Sequence, residues 1–76
     1  MITSEQIRAA RQLIRVTADQ LAKSSGVGLA TIRRFELMVG VPSGNARLLE
    51  AIQRSLEDSG VEFIGTPDDR PGVRLK

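Results

Sequence analysis

Seventy-six residues make one domain, and a chain this short buries only about 60% of its unfolded surface, which makes self-association worth considering. The absence of cysteine and histidine excludes disulfides, thiolate nucleophiles, Cys/His zinc sites and a histidine base. The net charge of +2 is uneven: residues 1–54 hold eight basic against four acidic side chains, residues 55–76 three against five, so any phosphate-binding face is expected in the first part.

No apolar run approaches the roughly 18 residues that span a bilayer. The opening MITSEQIRAARQ lacks the apolar centre of a signal peptide. A soluble, cytoplasmic protein with no membrane partner is expected.

The first predicted helix covers residues 3–15. Thr3 and Gln6 have the spacing of a capping box, and Ile7, Ala10, Leu13 and Ile14 share one face. Thr17 and Gln20 repeat the capping spacing at the start of a second helix over 17–24. Ser25-Gly26-Val27 should end it, with Gly26 free to adopt the left-handed conformation of a turn. A third helix is predicted over 28–37, with Gly28 as its N-cap. Val27, Ile32 and Phe35 point one way; Ala30, Arg33 and Arg34 point largely the other. Two short helices joined by a tight turn have the plan of a helix-turn-helix, whose second helix enters the DNA major groove.

Residues 37–43 should be a polar connector but contain Leu37, Met38, Val39 and Val41. Three consecutive apolar residues in a connector cannot all be buried, so part of Leu37-Met38-Val39 is expected on the surface as a dimer or partner contact. Ser43 or Asn45 caps a fourth helix over 44–59 with the apolar stripe Leu48, Leu49, Ile52 and Leu56. Gly60 stands at its C′ position.

The period then changes from helical to alternating. Val61–Ile64 and Gly72–Leu75 read as a β-hairpin around a long Gly/Thr/Pro/Asp loop. Pairing Val61 with Leu75, Glu62 with Arg74 and Phe63 with Val73 gathers the apolar side chains on one face and an ion pair on the other. An isolated two-stranded hairpin is barely stable, so it must pack on the helices or join that of a second chain. Residues 61–76, with Val61, Phe63, Ile64 and Val73, are therefore the expected dimerisation element, after a domain spanning 1–60.

Catalysis has little support. There is no G-x-S-x-G, P-loop or dinucleotide fingerprint, and Glu57, Asp58, Glu62, Asp68 and Asp69 match no calcium loop. No enzyme activity, cofactor or metal is expected.

Arg11, Thr17, Leu21-Ala22, Gly26-Val27, Thr31-Ile32, Glu36 and Pro42, in this order and spacing, resemble the Cro/cI-type (Xre-type) helix-turn-helix domain. The likeness covers about residues 5–56. The VEFI…GVRL tail is similar to that of small bacterial regulators. The resemblance implies a mainly α, four-helix lambda-repressor-like fold, here followed by the hairpin, acting as a homodimer on a palindromic operator in double-stranded DNA. It places Thr17, Ala18, Gly28, Leu29, Ala30, Thr31, Arg33 and Arg34 towards DNA, and makes Arg11 and Glu36 a structural ion pair. Three positions depart from the family pattern: Ala18 replaces a glutamine, Leu29 and Ala30 offer bases only apolar contact, and the loop after Glu36 is apolar where the family's is often basic. A protein-binding module on the same fold, an anti-activator or antitoxin contacting its partner through the apolar loop or tail, is the alternative these departures suggest.

Overall fold

Each helix begins where the chain supplies a cap. In the computed structural model, which describes all 76 residues, Thr3 and Thr17 precede α1 (Ser4–Ile14) and α2 (Ala18–Ser25). Both threonine hydroxyls accept from the amide three residues on, and both threonine amides donate back at 2.8 Å to Gln6 and Gln20. Both predicted capping boxes therefore form. Gly26, at φ +75°, ends α2 in the left-handed region, and α3 (Leu29–Glu36) follows behind Gly28 without a side-chain cap. Asn45, not Ser43, caps α4 (Ala46–Asp58), accepting from the amides of Arg47 and Leu48. The predicted helix bounds lie within two residues of those observed.

The tail forms two antiparallel strands, β1 (Val61–Thr66) and β2 (Asp69–Leu75), in the predicted register, with Ile64 opposite Gly72. The long loop expected between them is absent: only Pro67 and Asp68 separate the strands. The reason is a β-bulge. Beyond Ile64 the ladder shifts by one, so that Arg70 and Pro71 share Gly65 as their opposite number. Arg70 sits at φ +51° and Gly65 at φ +74°. A Cβ on Gly65 would lie 2.1 Å from the Arg70 carbonyl oxygen, so the bulge requires glycine there.

The molecule is thus mainly α, four helices followed by a C-terminal hairpin. Ile7 and Ala10 of α1, Leu21 of α2, Ile32 and Phe35 of α3, and Leu49, Ile52 and Leu56 of α4 make one core. Burying side chains of this size stabilises by about 1.5–3 kcal/mol each. Ile2, which precedes the first cap, is also fully inside. Leu13 departs from the expected stripe and is exposed, while Ile14 packs against the core. No helix is long and apolar enough to cross a membrane.

The hairpin docks on its own helices. Val61, expected at a dimer or partner surface, has 0% exposure and completes the core. Phe63 and Val73, assigned to the same surface, are half-buried against that core. Their face of the sheet looks inward because a small helical body needs the extra apolar cover. A buried amide fixes the docking: the Gln6 Nε2 donates to the carbonyls of Ile64 at 3.2 Å and Gly72 at 2.9 Å, one on each strand.

Candidate functional site

α3 has two unlike faces. Its inner face is apolar, with Ile32 and Phe35 fully buried. Its C-terminal end, where unpaired carbonyls would otherwise need water, is held by three side chains of α1. The Ser4 hydroxyl donates to the Phe35 carbonyl at 2.5 Å, and the Arg8 guanidinium donates to the Glu36 carbonyl. Arg11 grips the Glu36 carboxylate with two parallel bonds of 2.6 and 2.8 Å, and also donates to the Val16 carbonyl at 3.1 Å. The expected Arg11–Glu36 pair therefore forms, with side-chain exposures of 21% and 11%. Hydrogen bonding to Glu36 raises the Arg11 pKa above its ordinary value, so the guanidinium stays charged. Bidentate geometry makes this one of the stronger kinds of ion pair.

The outer face carries Ala30, Arg33 and Arg34, all exposed, with Leu29 and Thr31 half-buried beside them. Neither arginine has a carboxylate within salt-bridge reach, and neither side chain donates a hydrogen bond inside the molecule. The Arg34 guanidinium lies 5.6 Å from the Phe35 ring centroid, which restrains it without neutralising it. Arg15 and Lys23 are exposed and free of acidic partners as well. Thr17 is exposed, and Gly28 is exposed at the start of α3, where the first amides are unpaired and the helix dipole is positive. Ala18 differs from the expectation: it is half-buried and packs against the core, so little of its side chain is available for contact.

No protein-family model matches the chain, and no curated protein matches it significantly. The candidate site therefore rests on its own chemistry: an uncapped helix start, a small apolar surface and two uncommitted arginines on one rigidly held helix.

The connector after α3 divides its apolar residues. Met38 packs against the core, while Leu37 and Val39 are 85% and 89% exposed. Two backbone bonds at Gly40 pin this loop to the start of α1: the Ser4 amide donates to the Gly40 carbonyl at 2.8 Å, and the Gly40 amide donates to the Glu5 carboxylate at 3.2 Å. The Glu5 carboxyl is held below its usual range by its own backbone amide first and by that of Gly40 in addition. The loop thus presents Leu37 and Val39 outward from fixed anchors.

Ser4 and Arg8 escape a reading of the sequence as site-positioning residues. Arg8 could have been found, since it stands one turn before Arg11 on the same helix. Nothing local marks Ser4, whose partner lies 31 residues away.

Proposed function

We propose that this protein is a sequence-specific DNA-binding regulator of the helix-turn-helix type, using α2 as the supporting helix and α3 as the reading helix. The observation that carries this reading is the pair Arg33 and Arg34, charged, exposed and unpartnered on a helix whose opposite face and C-terminus are fully committed to the fold. An arginine left without an internal partner keeps its donors for phosphate or for the O6/N7 edge of guanine. Thr17 and the open start of α3 would meet phosphates, while Leu29 and Ala30 would lie against base edges and favour thymine methyl groups. The acidic end of the chain would stay clear of the duplex.

The reading includes a homodimer on a two-fold symmetric operator, with half-sites about one helical turn apart. Gel-shift titration against DNA from upstream of its own gene tests it. Specific binding that weakens in Arg33→Ala and Arg34→Ala, with the fold intact by circular dichroism, is the expected result. Equal binding of both variants and the native protein would reject the assignment.

Leu37 and Val39 favour a second reading, a protein-binding module on the same scaffold. It predicts DNA binding without sequence preference, and loss of a protein partner on Leu37→Ser with Val39→Ser.

A further inference from the structure

The two edges of the hairpin are not equivalent. The Val61–Leu75 and Phe63–Val73 pairs are the non-hydrogen-bonded ones, because the Lys76 amide bonds to the Gly60 carbonyl just outside Val61–Leu75. The backbone N–H and C=O groups of Val61, Phe63, Val73 and Leu75 therefore point away from the partner strand, towards the two edges. On β1 this edge is closed at its base, where Val61 has no exposed surface. On β2 it is open: Leu75 is 58% exposed, Pro71 is exposed, and no backbone or side-chain group bonds to Val73 or Leu75 from outside the ladder. The bulge at Arg70 blunts only the far end of this edge.

We infer that β2 is the dimerisation strand, pairing antiparallel with β2 of a second copy about a two-fold axis at Val73 to form a continuous four-stranded sheet. The sequence of the strand is self-complementary in that register. Val73 meets Val73 at the axis, a β-branched pair in the hydrogen-bonded position. Leu75 of one copy meets Pro71 of the other, which covers a large exposed apolar side chain; the proline carbonyl accepts from the Leu75 amide, while proline, at the bulge, has no N–H to return to the Leu75 carbonyl. Arg74 falls opposite Gly72, leaving room for the guanidinium to keep its own Glu62, bonded at 2.8 and 3.1 Å. At the ends Lys76 comes opposite Arg70, and each is already engaged at home: Lys76 with the Glu57 carbonyl, Arg70 with Asp69. About four inter-strand hydrogen bonds result, from the amides of Val73 and Leu75 to the carbonyls of Val73 and Pro71. A register centred on Arg74 instead would set two arginines directly opposite. This dimer deepens the regulator reading by supplying the symmetric partner it calls for. It is testable without DNA, so either can fail alone.

The experiment is light scattering on the full chain in three forms. The native protein should run as a dimer. Leu75→Pro removes one outward amide and no bond of its own hairpin, so its mass should fall to that of one 8.3 kDa chain with the helical circular dichroism unchanged. Because the chain has no cysteine, Val73→Cys gives a single thiol at the axis, where paired Cα atoms about 5.5 Å apart suit a disulfide. It should cross-link on mild oxidation much faster than Asp68→Cys at the hairpin tip. A monomeric native protein, or a folded Leu75→Pro that stays dimeric, overturns the proposal. Should Leu75→Pro unfold, the two cysteine variants decide: equal cross-linking overturns it, and preferential linking at position 73 upholds it.

Discussion

The two faces of α3 are built on opposite plans. The inner face and the C-terminal end leave almost nothing unpaired: Ile32 and Phe35 are sealed, and Ser4, Arg8 and Arg11 occupy the terminal carbonyls and the Glu36 carboxylate. The outer face leaves nearly everything unpaired, Arg33 and Arg34 above all. A side chain bonded within the molecule must break that bond to serve a ligand, whereas a free one gives up only water and rotamer freedom. Rigidity on one side therefore makes availability on the other useful, because a helix that rocked in its seat would blur any pattern its arginines read.

Substitutions on the two faces should separate stability from binding. The largest effect is expected at Phe35. Truncating this fully buried ring to alanine should cost about 3–5 kcal/mol, a large part of the roughly 5–15 kcal/mol typical of a whole domain. Urea unfolding should then show a population unfolded before denaturant is added. A midpoint near that of the native protein would mean that α3 is not seated as described.

Next comes the clamp. Glu36→Ala strands Arg11 in a half-buried position without its charged acceptor, and the expected cost is about 1.5–3 kcal/mol. The double variant with Arg11→Ala should be less destabilised than the sum of the singles, since the second change removes the stranded charge. Additive losses would show that the pair does not act as a unit.

The outer face should respond in the reverse sense. Arg33→Ala and Arg34→Ala are expected to change stability by no more than about 0.5 kcal/mol. In the proposed function each weakens operator binding by about 1–3 kcal/mol. Measuring unfolding and DNA titration on the same samples makes the contrast between the faces a number. It disappears if either arginine variant loses as much stability as Glu36→Ala.

What could be read in advance divides by sequence distance. The capping boxes depend on residues three apart, and the hairpin register on a period of two, so both are visible as patterns in the chain. The Arg11–Glu36 pair is legible through resemblance and not through spacing. Contacts that fix the site at long range leave no such trace. Gln6 looks like a helix-capping residue and is one, yet its amide nitrogen also holds both strands of a hairpin 58 and 66 residues away. Ser4 reads as an ordinary first-turn residue. Val61 lies on the apolar face of the predicted hairpin, but alternation does not say whether that face turns to its own helices or to a second chain; the core takes it in. In Leu37-Met38-Val39, composition says that the connector cannot bury all three; that Met38 turns in while its neighbours turn out, in a loop pinned at Gly40, is visible only in the fold. The free arginines of α3 were legible by position, whereas their lack of partners is a property of the folded surface.

The smallest expected effect concerns acid, and it contrasts the buried clamp with charges at the rim. Glu62, hydrogen-bonded to Arg74 and attracted by its charge, has its pKa lowered from the ordinary 4.5. A carboxylate whose folded pKa is depressed binds its proton more readily in the unfolded chain. Its stabilisation is therefore complete above about 4.5 and disappears as pH falls through the depressed value. Glu5 titrates in the same direction, and because it accepts from the Gly40 amide, the anchor of the apolar loop should loosen with it. Thermal melts of the native protein and Glu62→Gln should differ slightly at neutral pH and converge in acid, where the native residue is itself neutral. Exchange of the Gly40 amide, followed by NMR, should accelerate over the same range relative to an amide in α3, once corrected for the intrinsic pH dependence. A gap between native and Glu62→Gln that stays constant with pH would show that the Arg74 pair does not form in solution.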